Sequence, residues 1–164
     1  MLIKLANLFM TPAVLFLEKQ KVSFELLEYS HDDNTNNFAN EASEKLGLSP
    51  EMVFKTLVVA VDTNNFIVAI LPSDKQLSMK KLAKAVSGKR AAMAEAKKVQ
   101  SMSGYVLGGV SPFGQKKSLT TLLDISASYF EIIYVSGGRR GLEIAISPNS
   151  IEQFLNAAVT DITI

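Results

Sequence analysis

Apolar and polar positions change period several times along the chain, and each change marks an element. Residues 11–20, TPAVLFLEKQ, place threonine and proline ahead of an apolar run, the pattern of an N-cap with proline at the first helical position. FELLEY at 24–29 reads as a strand, and 37–46 as a helix stopped by Gly47. FKTLVVAV at 54–61 and FIVAIL at 66–71 flank Asp62-Thr63-Asn64-Asn65, whose side chains favour turns, so the two runs predict a hairpin. Ser78 caps a predicted helix that runs to Ser87 and stops at Gly88. Another helix is expected over 94–102, ending before Gly104.

The texture then changes. GYVLGGVSPFGQKK, residues 104–117, is a glycine-rich loop with one proline. After it come a strand at 119–123, a short helix near 126–129 and a strand at 131–136. GGRRG at 137–141 turns the chain into a strand at 142–147, followed by a helix at 148–157 and a last strand at 159–164. Hairpins mixed with irregularly placed helices predict an α+β fold, a mixed and largely antiparallel sheet, barrel-like and surrounded by helices. No linker interrupts 11–164, so one domain is expected there.

The apolar start, MLIKLANLFM, carries Lys4 and raises the question of a signal peptide. Asn7, Thr11 and Pro12 break it, no small-residue cleavage site follows, and it is too short to span a bilayer. Residues 1–10 are therefore expected to be an N-terminal extension, and the protein cytoplasmic, with no membrane partner. The absence of cysteine excludes disulfides and a protein thiolate nucleophile. Net charge is only +1, yet between Lys75 and Arg140 twelve Lys and Arg face three acids, an excess of nine positive charges. That bias suggests a basic face for a polyanion; a solvated lysine-rich helix explains it equally well.

Few catalytic chemistries fit. The single histidine, His31, stands beside Asp32 and Asp33, which suggests a metal, but a solvated loop is the simpler reading. No nucleophile elbow accompanies it, and GGVSPFGQKK lacks the ending of a phosphate loop. What remains is a site of backbone amides and a cation. Glycines in Gly108-Gly109-Val110-Ser111-Pro112 let the main chain approach a ligand and offer N–H groups to an oxyanion. Lys55, at the mouth of an apolar strand, is either a solvated strand end or a charge held beside such a site. An ordinary tight loop remains the competing reading for 108–112.

Thr-Pro-Ala at 11–13, Phe-Lys-Thr-Leu at 54–57, GYVLGGVSPFGQKK and Tyr-Val-Ser-Gly-Gly-Arg-Arg-Gly at 134–141 together resemble the YbaK family. These are bacterial aminoacyl-tRNA deacylases similar to the editing domain of bacterial prolyl-tRNA synthetase. The likeness runs from Thr11 to the C-terminus. It implies an essential lysine at Lys55 and a functional loop at Gly108 to Pro112. Tyr29, Thr56 and Ser136 are implied to shape the pocket with Gly109, Val110 and Ser111. Where the best-known members carry aspartate, this chain has Glu143.

The implied reaction is hydrolysis of a mischarged aminoacyl ester on proline tRNA, chiefly Cys-tRNA(Pro). In the closest members the substrate's own thiol is thought to attack its carbonyl, so no cofactor or metal is expected. Lys55 would anchor the acceptor end, and the amides of 108–111 would border the carbonyl. Lys80, Lys81, Lys84, Arg139 and Arg140 are the candidate tRNA contacts, with prolyl-tRNA synthetase a candidate partner. The alternatives are a deacylase for another pair such as Ala-tRNA(Pro), or a non-catalytic module that binds tRNA ends or a synthetase.

Overall fold

A computed structural model describes residues 10–164; the expected extension at 1–10 lies, apart from Met10, outside the described residues. The elements follow the sequence pattern closely. Helix α1 (Pro12–Lys19) is capped by Thr11, whose hydroxyl accepts from the Val14 amide, with proline leading the helix. Strand β1 (Glu25–Glu28) precedes α2 (Phe38–Leu46), which is capped by the Asn37 side chain and closed by Gly47 in a left-handed turn.

The hairpin is β2 (Phe54–Val61) and β3 (Asn65–Pro72), paired antiparallel from Phe54↔Pro72 to Val61↔Asn65. Its loop is one residue shorter than expected, because Asn65 already pairs. Asp62 and Thr63 take the positive φ angles of 48° and 81° that such a turn demands. The Asp62 carboxylate also accepts from the amides of Lys89 and Arg90, tying the hairpin tip to the next segment.

Helix α3 (Met79–Ala85) begins at Ser78 as predicted but ends before Gly88: Val86 is the C-cap and Ser87 makes the left-handed turn. Then β4 (Ala91–Met93), absent from the sequence reading, pairs antiparallel with Val59–Val61 of β2. Helix α4 (Ala96–Ser103) stops at Gly104. After the glycine loop come β5 (Thr120–Asp124), a single 3-10 turn (Ile125–Tyr129), β6 (Ile133–Ser136), β7 (Leu142–Ile146), α5 (Pro148–Leu155) and β8 (Ala158–Thr160).

These strands form two sheets. The larger has the order β4-β2-β3-β5-β8, with β3–β5 and β5–β8 parallel; the smaller, β1-β7-β6, is antiparallel throughout. The sheets meet at an isolated bridge between Val53 and Tyr134, so the arrangement is barrel-like without closing into a barrel. Side-chain alternation divides the larger sheet between two cores. Phe54, Val58, Val68, Ile70 and Leu123 face the smaller sheet and helices α1, α4 and α5. Val59, Val61, Ile67, Ala69 and Leu71 face α3, through Leu82, and the C-terminal Ile162. Among the described residues no helix is long and apolar enough to cross a membrane.

Strand β4 is only three residues long and covers the second half of β2. The first half of β2 therefore keeps an open edge facing the smaller sheet, and a cavity lies there.

Candidate functional site

The cavity has a volume of about 220 Å³. Its walls are the start of β2 (Val53 to Leu57), the entry to α2 (Asn36, Asn37, Phe38), Gly108 and Val110 of the glycine loop, and Ser136 and Glu143 of the smaller sheet. Of the residues expected to form the site, Lys55, Thr56, Gly108, Val110, Ser136 and Glu143 are brought together here. Ser136 and Glu143 are direct partners across β6 and β7, so one pairing register delivers both to the same wall.

Three polar groups in this cavity are wholly or partly buried and have few protein partners. Thr56 is 9% exposed, and its hydroxyl is the one buried side-chain polar atom without a hydrogen-bond partner among the described residues. Glu143 is 7% exposed, with no donor to its carboxylate among the described hydrogen bonds. Burial pushes its pKa up to about 8, so the group is mostly neutral at pH 7. Half-buried Lys55 has its pKa lowered by burial, opposed by the nearby charge of Asp74. Its ammonium makes one long contact, 3.5 Å to the Ser73 carbonyl, which leaves donors free for a ligand.

The glycine loop is built for close approach. Gly108 has φ +83°, and a Cβ there would lie 2.5 Å from the Phe38 ring. The Gly109 amide donates to the Val106 carbonyl, 2.9 Å, and a Cβ on Gly109 would meet the Arg139 backbone at 2.9 Å. The Gly108 amide, by contrast, donates to no group among the described backbone hydrogen bonds. Its N–H is left for water or a ligand.

The other expected residues lie around the cavity or away from it. Tyr29 is not among the lining residues; burial first, then the charge of Glu143, raise its pKa to about 12. Gly109 braces the loop, and Ser111 is fully buried, its hydroxyl accepting from the Phe113 amide. Pro112 faces a separate depression with Phe16 and Gln115. Arg140 sits at the rim, its guanidinium 4.7 Å from the Phe38 ring centre and donating to the Leu107 carbonyl at 2.9 Å. Arg139 pairs with Glu28 at 3.1 Å. Lys80, Lys81 and Lys84 lie exposed on α3, but Lys81 is engaged by Asp161 at 2.8 Å and the Thr163 carbonyl at 2.6 Å.

His31 departs from the solvated-loop reading. Its ring is largely covered and meets Glu41 at 2.7 Å, while the same carboxylate accepts from the Asp32 amide and Lys45. The histidine thus ties its loop to α2. Sequence reasoning missed Asn36, Asn37 and Phe38 as cavity residues. Asn37 was legible as the start of a helix, but nothing local shows that this helix opens toward β2.

A family model described as the aminoacyl-tRNA editing domain matches residues 34–154, a span that includes every residue lining the cavity. The chain belongs to the aminoacyl-tRNA editing domain family. An Enterococcus faecalis protein, EbsC, provisionally named a Cys-tRNA(Pro)/Cys-tRNA(Cys) deacylase, is 34% identical over 93% of each chain. A proline–tRNA ligase of Thermodesulfovibrio yellowstonii is 33% identical over 61% of this chain, which corresponds to 17% of that enzyme. The crystal structure of a provisionally assigned trans-editing enzyme for prolyl-tRNA synthetase superposes with a TM-score of 0.82 at 21% identity, covering 93% of this chain and 95% of that one. At that identity the superposition establishes the editing-domain fold. Editing is removal of a wrongly attached amino acid from tRNA, so the chemistry expected of the cavity is cleavage of an aminoacyl ester.

Proposed function

We propose that the protein is a trans-editing deacylase that removes cysteine from Cys-tRNA(Pro), correcting an error of prolyl-tRNA synthetase. The observation that carries this reading is the cavity at the open edge of β2, where the Lys55 ammonium and the Gly108 amide both have donors to spare. An ester carbonyl placed between them gains its negative charge beside a cation and an N–H. Such preorganised donors are worth several kcal/mol in general. Lys55 binds either that oxygen or the adjacent phosphate of the acceptor end.

The chain has no thiol of its own and the cavity shows no base paired to a nucleophile. Substrate-assisted cleavage fits this inventory. The substrate's thiol sulfur forms a bond to its own carbonyl carbon, and the ester C–O bond breaks. The thiol proton ends on the departing ribose oxygen, and a thiolactone leaves. The neutral Glu143 carboxyl and the unpartnered Thr56 hydroxyl favour a polar side chain such as the cysteine thiol over the methyl group of alanine. No cofactor enters this route. The partners are the acceptor end of tRNA(Pro) and, through the need to select that tRNA, prolyl-tRNA synthetase.

Purified protein incubated with a panel of mischarged tRNAs tests the reading. Cys-tRNA(Pro) should be deacylated faster than Ala-tRNA(Pro), and correctly charged Pro-tRNA(Pro) should survive. Preferential loss of alanine would reassign the substrate, and no hydrolysis of any member would reject the function.

A further inference from the structure

The cavity accounts for the aminoacyl group, but the substrate continues beyond it. Immediately past the ester lies the 3′-terminal adenosine that all tRNAs share, and the cavity mouth must meet it. At that mouth the chain makes a tight turn, closed by the Gly109 amide on the Val106 carbonyl at 2.9 Å. The turn is pinned from outside by Arg140, which donates to the Leu107 carbonyl at 2.9 Å while lying over Phe38, a cavity wall. Gly108, the next residue, also lines the cavity and rests on Phe38. What this rigid turn presents to solvent is two apolar side chains, Val106 at 50% and Leu107 at 48% exposure.

Single exposed apolar residues are ordinary, but an adjacent exposed pair joined to the cavity-lining Gly108 is a contact surface beside that cavity. Its occupant follows from that continuity. A purine has two apolar faces, and covering one removes area from water without requiring base-specific hydrogen bonds. Arg140 stands beside the pair as a cation suited to the neighbouring phosphate.

We propose that turn 106–109 is the docking platform for the 3′-terminal adenosine, with Val106 and Leu107 covering one face of the purine. The proposal rests on the editing function above in that it takes tRNA as the ligand, but its test needs no deacylation. An uncharged acceptor-stem minihelix ending in adenosine is compared with the same minihelix lacking the terminal base, by fluorescence anisotropy at fixed salt. The wild-type protein should bind the intact minihelix roughly tenfold more tightly than the abasic one, the scale of one base contact. The double variant Val106→Ser, Leu107→Ser should lose that preference while keeping the wild-type melting temperature, since both side chains are exposed.

Equal wild-type affinity for the two minihelices would overturn the proposal, and so would a preference retained by the double variant. If the preference is present and turn-dependent but no mischarged tRNA is hydrolysed, the platform stands and the deacylase reading falls.

Discussion

Asp124, at the end of β5, and Thr56, near the start of β2, are both polar and both buried, yet their surroundings are opposite. The Asp124 carboxylate accepts from the Ser126 amide at 3.1 Å, the Ser126 hydroxyl at 2.6 Å and the Ile162 amide at 3.0 Å. It joins the sheet to the following turn and to the C-terminal segment, and every contact it makes is structural. Similar closure holds around Tyr105, whose hydroxyl donates to the Phe113 carbonyl at 2.6 Å and whose amide donates to the Ser103 hydroxyl at 3.1 Å. The wall holding Thr56, Glu143 and Lys55 has none of this closure. Buried polar groups are ordinarily satisfied, so the unpartnered Thr56 hydroxyl beside Lys55 and Glu143 singles out this wall as the candidate ligand site.

Substitutions in the two regions should therefore act on different properties. The largest expected effect is at Lys55. Lys55→Ala should slow single-turnover deacylation by about two orders of magnitude or more, as expected for losing a charge-assisted contact made in the transition state. Asp124→Ala comes next and acts the other way. It strands the Ile162 amide in the interior and should cost about 2–4 kcal/mol in urea unfolding, with turnover per folded molecule kept. A Gly108→Ala variant belongs to both regions. Its left-handed backbone and the Phe38 ring at 2.5 Å should cost about 1–2 kcal/mol, and turnover should fall because Phe38 is a cavity wall. Shortening the neighbour with Phe38→Leu in the same chain should return part of the stability.

A pH dependence at Glu143 completes the series and is read on stability alone. Its folded pKa of about 8 exceeds the unfolded value of 4.5, so the folded state holds the proton more tightly. Stability from this group is complete below pH 4.5 and is lost as pH rises toward 8, at most about 1.4 kcal/mol per pH unit. Glu143→Gln should remove that slope from unfolding measured between pH 5 and 8 while keeping most activity. An unchanged slope would mean that Glu143 is ionised and paired in the folded protein.

The contrast between these regions was only half visible in the chain. Local chemistry announced the hairpin, the Thr11 and Ser78 caps, and the Gly47 and Gly104 stops, because each is decided within four or five residues. Strand β4 was not legible: Ala-Ala-Met has little strand character and is extended because Val59 to Val61 offer it an edge. The parallel pairing of β3, β5 and β8 joins segments about fifty and forty residues apart and leaves no local trace. The motifs named Lys55, Gly108, Ser136 and Glu143, and the structure brings these four to one cavity. The wall contributed by Asn36, Asn37 and Phe38 depends on where α2 docks, and the sequence around those residues reads only as a helix entry. Nor could sequence show that Lys81 spends its charge on Asp161, which weakens α3 as a tRNA contact relative to the rim around Arg140.

The central claim is that the unsatisfied wall at the open edge of β2 is where the aminoacyl ester is cleaved. The most direct measurement takes Lys55→Ala and Asp124→Ala through both assays, single-turnover deacylation of Cys-tRNA(Pro) and unfolding in urea. The account predicts a crossed result: Lys55→Ala loses turnover and keeps its stability, whereas Asp124→Ala loses stability and keeps the turnover of its folded fraction. Near-normal turnover in a folded Lys55→Ala protein would contradict it.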